Sequence, residues 1–323
     1  MLKITRFAFA PLAAAAIAIT APAQAQQPTT VQFGMVAKLA FSWPTFIADD
    51  KKLFEGFKPE FTVVGQSAKV IQGIAGGTFA IGHAGIPEAI RATESGAPVK
   101  IIASEVALPP YHWLAAKNIK KVEELKGKKM MLGGTKDITF IYWKTIAEKH
   151  GLKMTDFDFV YSGSTTNRFS ALVSGAVDGT ILGQPFDFQA MAQGFNVVAL
   201  QKAYSPNAPF TVYAVNTEWA AKNKNTVVAF LKGYMKGVNW LYDQANRKEA
   251  IEVLIKHSGA KPDDAEKTYD FYVKDLKPFR TDGAMTDAAM KDALNALVML
   301  EDLKEPVPPA SKYYDDSFLK AAR

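Results

Sequence analysis

Polar and charged side chains recur in this sequence at the ends of short apolar runs, often beside glycine. Such groups can hold a small molecule by hydrogen bonds and charge without breaking a bond. The candidates for ligand contact are Ser42, Trp43, Gln66, His83, Glu88, Thr135, Lys136, Asp137, Ser164, Arg168, Gln184 and Asp187. Lys136 and Arg168 would neutralise an anion. Trp43 and His83 would instead suit an aromatic ring.

Each candidate also has a structural alternative. Ser164 and Thr135 lie at predicted helix starts, where a hydroxyl serves as an N-cap. Trp43 and His83 adjoin apolar residues and fit a packed core. Glu88 and Asp187 fall in first helical turns, where the helix dipole alone favours them, and Asp137 flanks a helix start, where it would serve as a cap. Gln184 is the most specific candidate, because a polar residue between glycine and proline at a strand end has few packing reasons.

Several kinds of chemistry are excluded by the residue inventory. The chain has no cysteine, so disulfides, zinc–thiolate sites, iron–sulfur clusters and a cysteine nucleophile are absent. Its four histidines lack metal-ligand spacing, and no nucleophile-elbow or phosphate-loop motif occurs. The net charge of +6 comes from dispersed lysines, so no nucleic-acid footprint is expected. We therefore predict no catalytic residue, metal or cofactor.

The elements that must position the candidates follow from an internal repeat with an offset of 98 residues. Most of its matches are glycine or proline, which mark backbone geometry at the ends of elements. The paired residues are Phe61 and Phe159, Gly65 and Gly163, Gly77 and Gly175, Gly85 and Gly183, Pro87 and Pro185, Gly96 and Gly194, and Val99 and Val197. Around them each half reads as strands alternating with helices, which is typical of a mainly parallel sheet flanked by helices.

Two such halves predict an α/β protein with two lobes and a helical C-terminal tail. Residues 26–108 and 210–323 would form lobe 1, and residues 109–209 would form lobe 2. The proline-rich segments 108–110 and 206–209 fit crossovers between them, although ordinary loops remain an alternative. Residues 210–216 alternate and are β-branched, so they predict a strand that returns to lobe 1. Ligands of such sheets bind beyond the carboxyl ends of the strands.

The first residues have the pattern of a secretory signal peptide. Lys3 and Arg6 precede an apolar run over residues 7–20, which is too short to span a bilayer as a mature helix. Ala23-Gln24-Ala25 then supplies a cleavage signature. We predict cleavage after Ala25 and a periplasmic mature chain that begins at Gln26. A buried or amphipathic N-terminal helix is the alternative.

The sequence resembles the periplasmic substrate-binding proteins of ABC importers, in the group that takes sulfonates, taurine, nitrate and thiamine-pyrimidine precursors. The resemblance covers roughly residues 31–242. It is carried by the signal peptide, Trp43-Pro44, residues 71–77, residues 80–85, Gly133-Gly134-Thr135, and residues 170–175 with Val177-Asp178. It implies a two-lobed clamshell of the type 2 periplasmic-binding-protein fold. It also implies that Ser42, Trp43, Gln66, His83, Thr135, Ser164 and Gln184 line the pocket.

The resemblance further implies a monomer that captures a small sulfonate, carboxylate or heteroaromatic molecule and docks on an inner-membrane ABC permease. Ala80 stands where the group usually has an acid, and no clear anion clamp of the sulfonate type is present. Trp43, His83 and Tyr111 together would suit an aromatic ring. Two alternatives use the same fold. One is an enzyme like the pyrimidine-precursor synthases, which rely on a cysteine-rich motif. The other is a ligand-sensing accessory protein.

Overall fold

The structure is a computed structural model that describes residues 29–323. The predicted signal peptide and its cleavage site lie outside the described residues. Within residues 29–323, no helix has both the length and the apolar character needed to cross a bilayer.

In residues 29–323, ten strands form two separate sheets of five strands each. The strands are β1 (Thr29–Met35), β2 (Phe57–Val63), β3 (Ile81–Gly85), β4 (Val99–Val106), β5 (His112–Ala115), β6 (Lys129–Leu132), β7 (Asp158–Tyr161), β8 (Gly179–Leu182), β9 (Asn196–Leu200) and β10 (Thr211–Asn216). Sheet 1 has the order β2-β1-β3-β10-β4, and sheet 2 has the order β7-β6-β8-β5-β9. The predicted fold class, a two-lobed α/β protein with mainly parallel sheets, is confirmed.

Each sheet contains one antiparallel strand, which directly follows a crossover between the lobes. The returning strand predicted over residues 210–216 is confirmed, since β10 lies antiparallel between β3 and β4. Its counterpart β5 lies antiparallel between β8 and β9 and was not predicted. β5 has only four residues and follows a proline pair, so it carries no alternation long enough to be read. The residue limits of the two lobes stay a prediction. In the structure, the chain crosses between the two sheets at residues 107–111 and 205–210.

Helices cover both faces of the sheets and form the C-terminal tail. They are α1 (Trp43–Asp50), α2 (Ser67–Ala75), α3 (Ile86–Glu94), α4 (Ile138–Lys149), α5 (Thr165–Val173), α6 (Phe186–Ala192), α7 (Gln201–Tyr204), α8 (Thr217–Lys222), α9 (Lys224–Tyr242), α10 (Arg247–Ser258), α11 (Pro262–Tyr269), α12 (Asp287–Met299) and α13 (Ser317–Ala322). A π-helical turn, Asp270–Leu276, continues α11. The tail helices pack mostly on lobe 1, where α9 contacts both α1 and α13.

The repeated glycines end equivalent helices in the two lobes. Gly77 follows α2 with φ 76°, and Gly175 follows α5 with φ 74°. A side chain is strained in this left-handed conformation, so glycine is the residue that lets each helix stop and the next buried strand begin. The repeat therefore places α2 against β3 and α5 against β8 in the same way. As a result, corresponding loops of the two lobes project from corresponding sheet edges.

Candidate ligand-binding cleft

A cavity of about 550 Å³ lies between the two lobes, at the carboxyl ends of their parallel strands. Loops from both lobes line it, as expected for a site at the edges of two facing sheets. Its size is in the usual range for sites that enclose a small organic molecule. Lobe 1 supplies residues 36–39, 65–68, Phe41, Val63, Glu88, Phe210 and Thr211; lobe 2 supplies Tyr111, Gly133, Gly134, residues 137–139 and 163–166, Arg168 and Phe186. Ser258, at the end of α10, completes the lining.

The lobes touch at one edge of the cavity through a pair of repeat-related glycines. A Cβ placed on Gly163 would lie 2.7 Å from Gln66 Cγ and 3.0 Å from the Gly65 carbonyl oxygen. Gly163 has an ordinary φ, so its lack of a side chain serves close approach rather than backbone conformation. The structure is therefore a closed arrangement, in which any side chain at residue 163 would push the lobes apart.

Aromatic side chains beside the two crossovers form one wall of the cavity. The ring centroids of Tyr111 and Phe210 are 4.8 Å apart, and those of Phe41 and Phe210 are 5.7 Å apart, both edge to face. These distances are typical of favourable aromatic pairs. Phe41 and Phe210 were not among the predicted contacts. In the sequence, Phe41 directly precedes the predicted contact Ser42, and Phe210 directly follows the proline-rich segment 206–209. These positions could have indicated that both residues lie near the cleft.

Two carboxyl groups border the cavity, one from each lobe. Glu88 lies in the first turn of α3, and its Oε2 atom is buried without a hydrogen-bond partner among the described residues. Burial and then the charge of Asp137 raise the pKa of Glu88 to about 8. Asp137 caps α4, where its side chain accepts from the backbone N–H groups of Thr139 and Phe140. Burial also raises the pKa of Asp137, although these hydrogen bonds oppose the shift.

Arg168 lies in the wall of the cavity with its guanidinium held by the protein. Its Nε donates to the carbonyl oxygen of Ile181 at 3.0 Å, and Nη1 donates to those of Ser162 and Gly163 at 2.9 and 3.0 Å. Nη2 donates to Thr165 Oγ1 at 2.9 Å. Burial lowers the pKa of Arg168, which nevertheless remains charged because its normal pKa is so high. Arg168 thus ties the β7–α5 loop to β8.

Five of the twelve predicted contacts line the cavity: Gln66, Glu88, Asp137, Ser164 and Arg168. The other seven lie outside the lining: Ser42, Trp43, His83, Thr135, Lys136, Gln184 and Asp187. The sequence pattern predicted these seven residues near the cleft. Their positions in the structure explain why they do not line it.

Ser42 and His83 belong to a buried network beneath the cavity. The Val36 N–H donates to His83 Nε2 at 2.9 Å, so the ring proton lies on Nδ1, which is 2.7 Å from Glu105 Oε2. Ser42 donates to Glu105 Oε1 at 3.0 Å, and the Tyr213 hydroxyl reaches the same oxygen at 3.2 Å. Both ring nitrogens of His83 are occupied, so the network supports the loop that begins at Val36 rather than presenting a free imidazole.

Trp43 is fully buried in the core of lobe 1. Its indole N–H donates to the carbonyl oxygen of Ala250 at 2.9 Å, and its ring packs edge-on against Tyr269 at 6.0 Å. Pro44 lies at the start of α1, and the Trp43 ring packs against α10 and α11 and does not line the cavity.

Gln184 and Asp187 hold the first crossover. The Gln184 side-chain amide donates to the Pro110 carbonyl oxygen at 2.8 Å and to Asp187 Oδ2 at 2.5 Å. His112 Nδ1 lies 2.6 Å from the same carboxyl oxygen. Glu88 and Asp187 were both expected in first helical turns, and they are, but only Glu88 reaches the cavity.

Lys136 and the exposed Thr135 lie on the outer side of the β6–α4 loop. Lys136 Nζ pairs with Asp302 at 2.6 Å, and Arg91 pairs with the same carboxylate at 2.6 Å. Arg91 Nη2 also donates to the Lys136 carbonyl oxygen at 2.7 Å. Because Arg91 belongs to lobe 1 and Lys136 to lobe 2, this cluster links the lobes outside the cavity.

Comparisons with known proteins agree with this architecture. The profile of the family described as NMT1/THI5 like matches residues 43–250. No curated protein matches the sequence. Among solved structures, the periplasmic nitrate-binding protein NrtA from Synechocystis PCC 6803 has a TM-score of 0.79 at 14% identity, covering 92% of this chain and 88% of that chain.

Two further solved structures are similar. The alkanesulfonate-binding protein SsuA from Xanthomonas axonopodis pv. citri, bound to MOPS, has a TM-score of 0.73 at 18% identity, covering 90% of this chain and 99% of that chain. A zinc-bound ligand-binding component of an ABC-type import system from Staphylococcus aureus has a TM-score of 0.77 at 14% identity, with coverages of 91% and 99%. At sequence identities this low, the structural similarity establishes a shared fold and nothing more specific.

Proposed function

We propose that this chain, which belongs to the NMT1/THI5-like family, is the extracytoplasmic solute-binding component of an ABC-type importer. In this role it captures one small organic molecule between its lobes. The observation that carries the proposal is the cavity of about 550 Å³, which is lined from both lobes and closed at the Gly65–Gly163 contact. The similar structures include binding proteins for nitrate and alkanesulfonate and a component of an import system.

Capture would work by differential contact. A ligand that touches both lobes gains more contacts in the closed arrangement than in an open one, so it shifts the population towards the closed state. The two crossovers and the tail are the segments that would bend. The cavity, and with it Gln66, Ser164, Glu88, Asp137 and Arg168, is the ligand-contacting set that we propose.

The partner and the compartment follow from the same role. We propose that the mature chain begins at Gln26, resides in the periplasm as a monomer and delivers its ligand to an inner-membrane ABC permease. The signal-peptide pattern of the first residues supports export. A ligand-sensing accessory protein would use the same cleft, and the two roles differ only in the partner that reads the closed state.

We also propose that the protein is not an enzyme. All four histidines lie in the described part of the chain, none lines the cavity, and each has a side-chain partner there. The chain has no cysteine, whereas the synthases that it resembles rely on a cysteine-rich motif. Among the described residues, the carboxyl groups of the lining are Glu88 and Asp137, and the lining offers no imidazole or thiol to serve as a base or nucleophile beside them.

A thermal-shift screen of the mature chain tests the proposed function. The protein is unfolded, freed of carried-over ligand, refolded and mixed with sulfonates, carboxylates, nitrate, heteroaromatic compounds and amines. We expect one chemical class to raise Tm, because a ligand present at 100 times its Kd stabilises the folded state by roughly 2.7 kcal/mol. Absence of any shift with all five classes, on protein shown by circular dichroism to be folded, would contradict the proposal.

A further inference from the structure

We infer that the ligand of this cleft is a protonated amine or amidine on a compact apolar body, and that its cationic nitrogen lies between Glu88 of lobe 1 and Asp137 of lobe 2. The inference rests on the proposed function, since it assigns a chemical class to the same cleft.

The acceptor groups left open in the cavity carry the first step. Glu88 Oε2 is buried without a partner, and it packs over Gly85, where a Cβ would meet it at 2.6 Å. Among the described residues, all three hydrogen bonds that the Asp137 side chain accepts go to Oδ1. Glu88 therefore presents a buried oxygen without a partner, and Asp137 presents an oxygen that accepts no hydrogen bond from the described residues. A cationic N–H donor between them would serve both once Glu88 is ionised.

The cations near the cavity carry the second step. Arg168 uses four of its five N–H donors on three carbonyl oxygens and Thr165, so an anion would have to compete with the protein for all but one of them. Lys136 is turned outward to Asp302. Among the described lining residues only Lys38 is an exposed cation, at the edge of the cavity. An anionic ligand would face two carboxyl groups, while the Arg168 guanidinium is held by protein acceptors and already interacts with the charge of Asp137.

The state of the empty cleft supports the same conclusion. Burial and the charge of Asp137 raise the pKa of Glu88 to about 8, while Arg91 on the same helix lowers it less. At neutral pH the empty cleft therefore holds a proton on Glu88. A bound cation would favour the carboxylate and displace that proton, so affinity should rise with pH between about 6 and 8. An anionic ligand would show the opposite trend.

The remaining walls define the body of the ligand. Phe41, Tyr111 and Phe210 form an aromatic surface, and Leu39 and Phe186 add further apolar lining. Aromatic faces attract cations as well as apolar groups, so this wall is compatible with the cationic end as well as with the body. A compact aromatic or aliphatic amine fits the cavity's size and lining.

Probes matched in shape and differing in charge test the inference. Benzylammonium and benzamidinium are compared with benzoate, benzenesulfonate and neutral benzyl alcohol, by thermal shift and by calorimetric titration at pH 6, 7 and 8. Both cations stay protonated over this range. Glu88→Gln removes the proposed counter-charge. Glu252→Gln is the matched control, because it makes the same chemical change at an exposed position on α10. Lys38→Gln tests the remaining cation of the lining.

We expect a cation to bind more tightly than its anionic counterparts, with affinity rising severalfold from pH 6 to pH 8. Glu88→Gln should weaken cation binding at least tenfold at pH 8, and Glu252→Gln should leave it unchanged. Lys38→Gln should strengthen it, because a like charge is removed. Calorimetric titrations in two buffers of different ionisation enthalpy should show that the wild type releases a proton when the cation binds. The Glu88→Gln variant should release none.

The inference is overturned if neither cation binds, or if benzoate or benzenesulfonate binds more tightly than both cations and more tightly still at low pH. Binding of an anion would overturn the charge assignment and leave capture in the cleft standing. Failure of every class in the earlier screen would contradict the proposed function itself, so the two failures are distinguishable.

Discussion

The two lobes bury their polar groups at different places on the same backbone frame. In lobe 1, His83 on β3 is buried and polar, and its repeat partner in lobe 2 is Ile181. In lobe 2, Arg168 on α5 is buried and polar, and its repeat partner in lobe 1 is Val70. Each lobe thus contains an internally bonded polar cluster next to the cleft, based on the Glu105 carboxylate in lobe 1 and on the Arg168 guanidinium in lobe 2.

This difference teaches that burial next to the cleft is not the same as ligand contact. His83 and Arg168 support the loops that carry the site, and their hydrogen bonds already have protein partners. The open acceptors belong to Glu88 and Asp137, at the starts of α3 and α4. The two clusters support the loops around the cleft, and the two acids at helix starts are the lining groups with open acceptors that we propose for the ligand.

The largest expected effect comes from breaking the lobe 1 cluster. His83→Leu should lower the free energy of unfolding by roughly 3–5 kcal/mol, because it leaves the buried Glu105 carboxylate without its imidazole donor. The apolar side chain itself fits this strand position, since Ile181 occupies the equivalent place in lobe 2. Denaturant titration measures the loss. Adding Glu105→Leu should recover part of it; a double variant with fully additive losses would contradict the coupling.

The lobe 2 cluster should be somewhat less sensitive. Arg168→Leu is expected to cost about 2–3 kcal/mol, because the loop carbonyl oxygens of Ser162 and Gly163 lose their donor but can be reached by water. The same titration measures the change, with Lys149→Leu on the surface of α4 as a control for the loss of one positive charge. If Arg168→Leu lowers the free energy of unfolding by less than about 0.5 kcal/mol, which is typical of ordinary surface substitutions, the hydrogen bonds of Arg168 are not needed for stability.

The pH dependence of stability separates Glu88 from both clusters. Its pKa is raised from 4.5 to about 8 on folding, so between these values the folded protein holds a proton that the unfolded chain has released. Stability should therefore fall as pH rises through this window, by at most about 1.4 kcal/mol per pH unit. Glu88→Gln should remove this component of the slope, whereas Glu252→Gln should retain it. Equal slopes in both variants would place the titrating group elsewhere.

The smallest expected effect concerns the ion pairs that link the lobes outside the cavity. Asp302→Asn should cost only about 0.5–1 kcal/mol, because the Arg91 and Lys136 partners are partly exposed and screened by salt. The difference from wild type should shrink when ionic strength is raised. Asp292→Asn, at an exposed position on α12, is the matched control. A salt-independent loss would indicate a packing role for Asp302.

The repeat allowed the fold to be predicted because glycine and proline report backbone geometry directly. Gly77, Gly175 and the prolines that open α3 and precede α6 fixed where elements end, and these positions carry over between lobes. β5 was not predicted because four residues after two prolines, three of them buried, are too few to show a periodicity. The short strand is held by its partners in sheet 2 rather than by its own sequence.

The candidate site could be predicted at the level of loops and not of side chains. A residue after a strand end can turn to the cleft or to the core, and a change of one backbone torsion decides which. Trp43 packs in the core, where its indole N–H donates to the Ala250 carbonyl oxygen, and Gln184 turns to Pro110, where its amide finds an acceptor. Ligand contact by these residues stays a prediction without support from their positions.

The central claim, that a ligand is enclosed by closure of the two lobes, is tested most directly by comparing Gly163→Ala with Gly134→Ala. A Cβ at residue 163 would clash with Gly65 and Gln66 of the other lobe, whereas one at residue 134 would make only ordinary contacts at 3.6 Å. The measurement is small-angle scattering, with and without the compound that gives the largest thermal shift. The account predicts that this compound makes the wild type and Gly134→Ala more compact, while Gly163→Ala stays expanded and binds at least tenfold more weakly. Equal compaction and equal affinity in both variants would contradict closure at this contact.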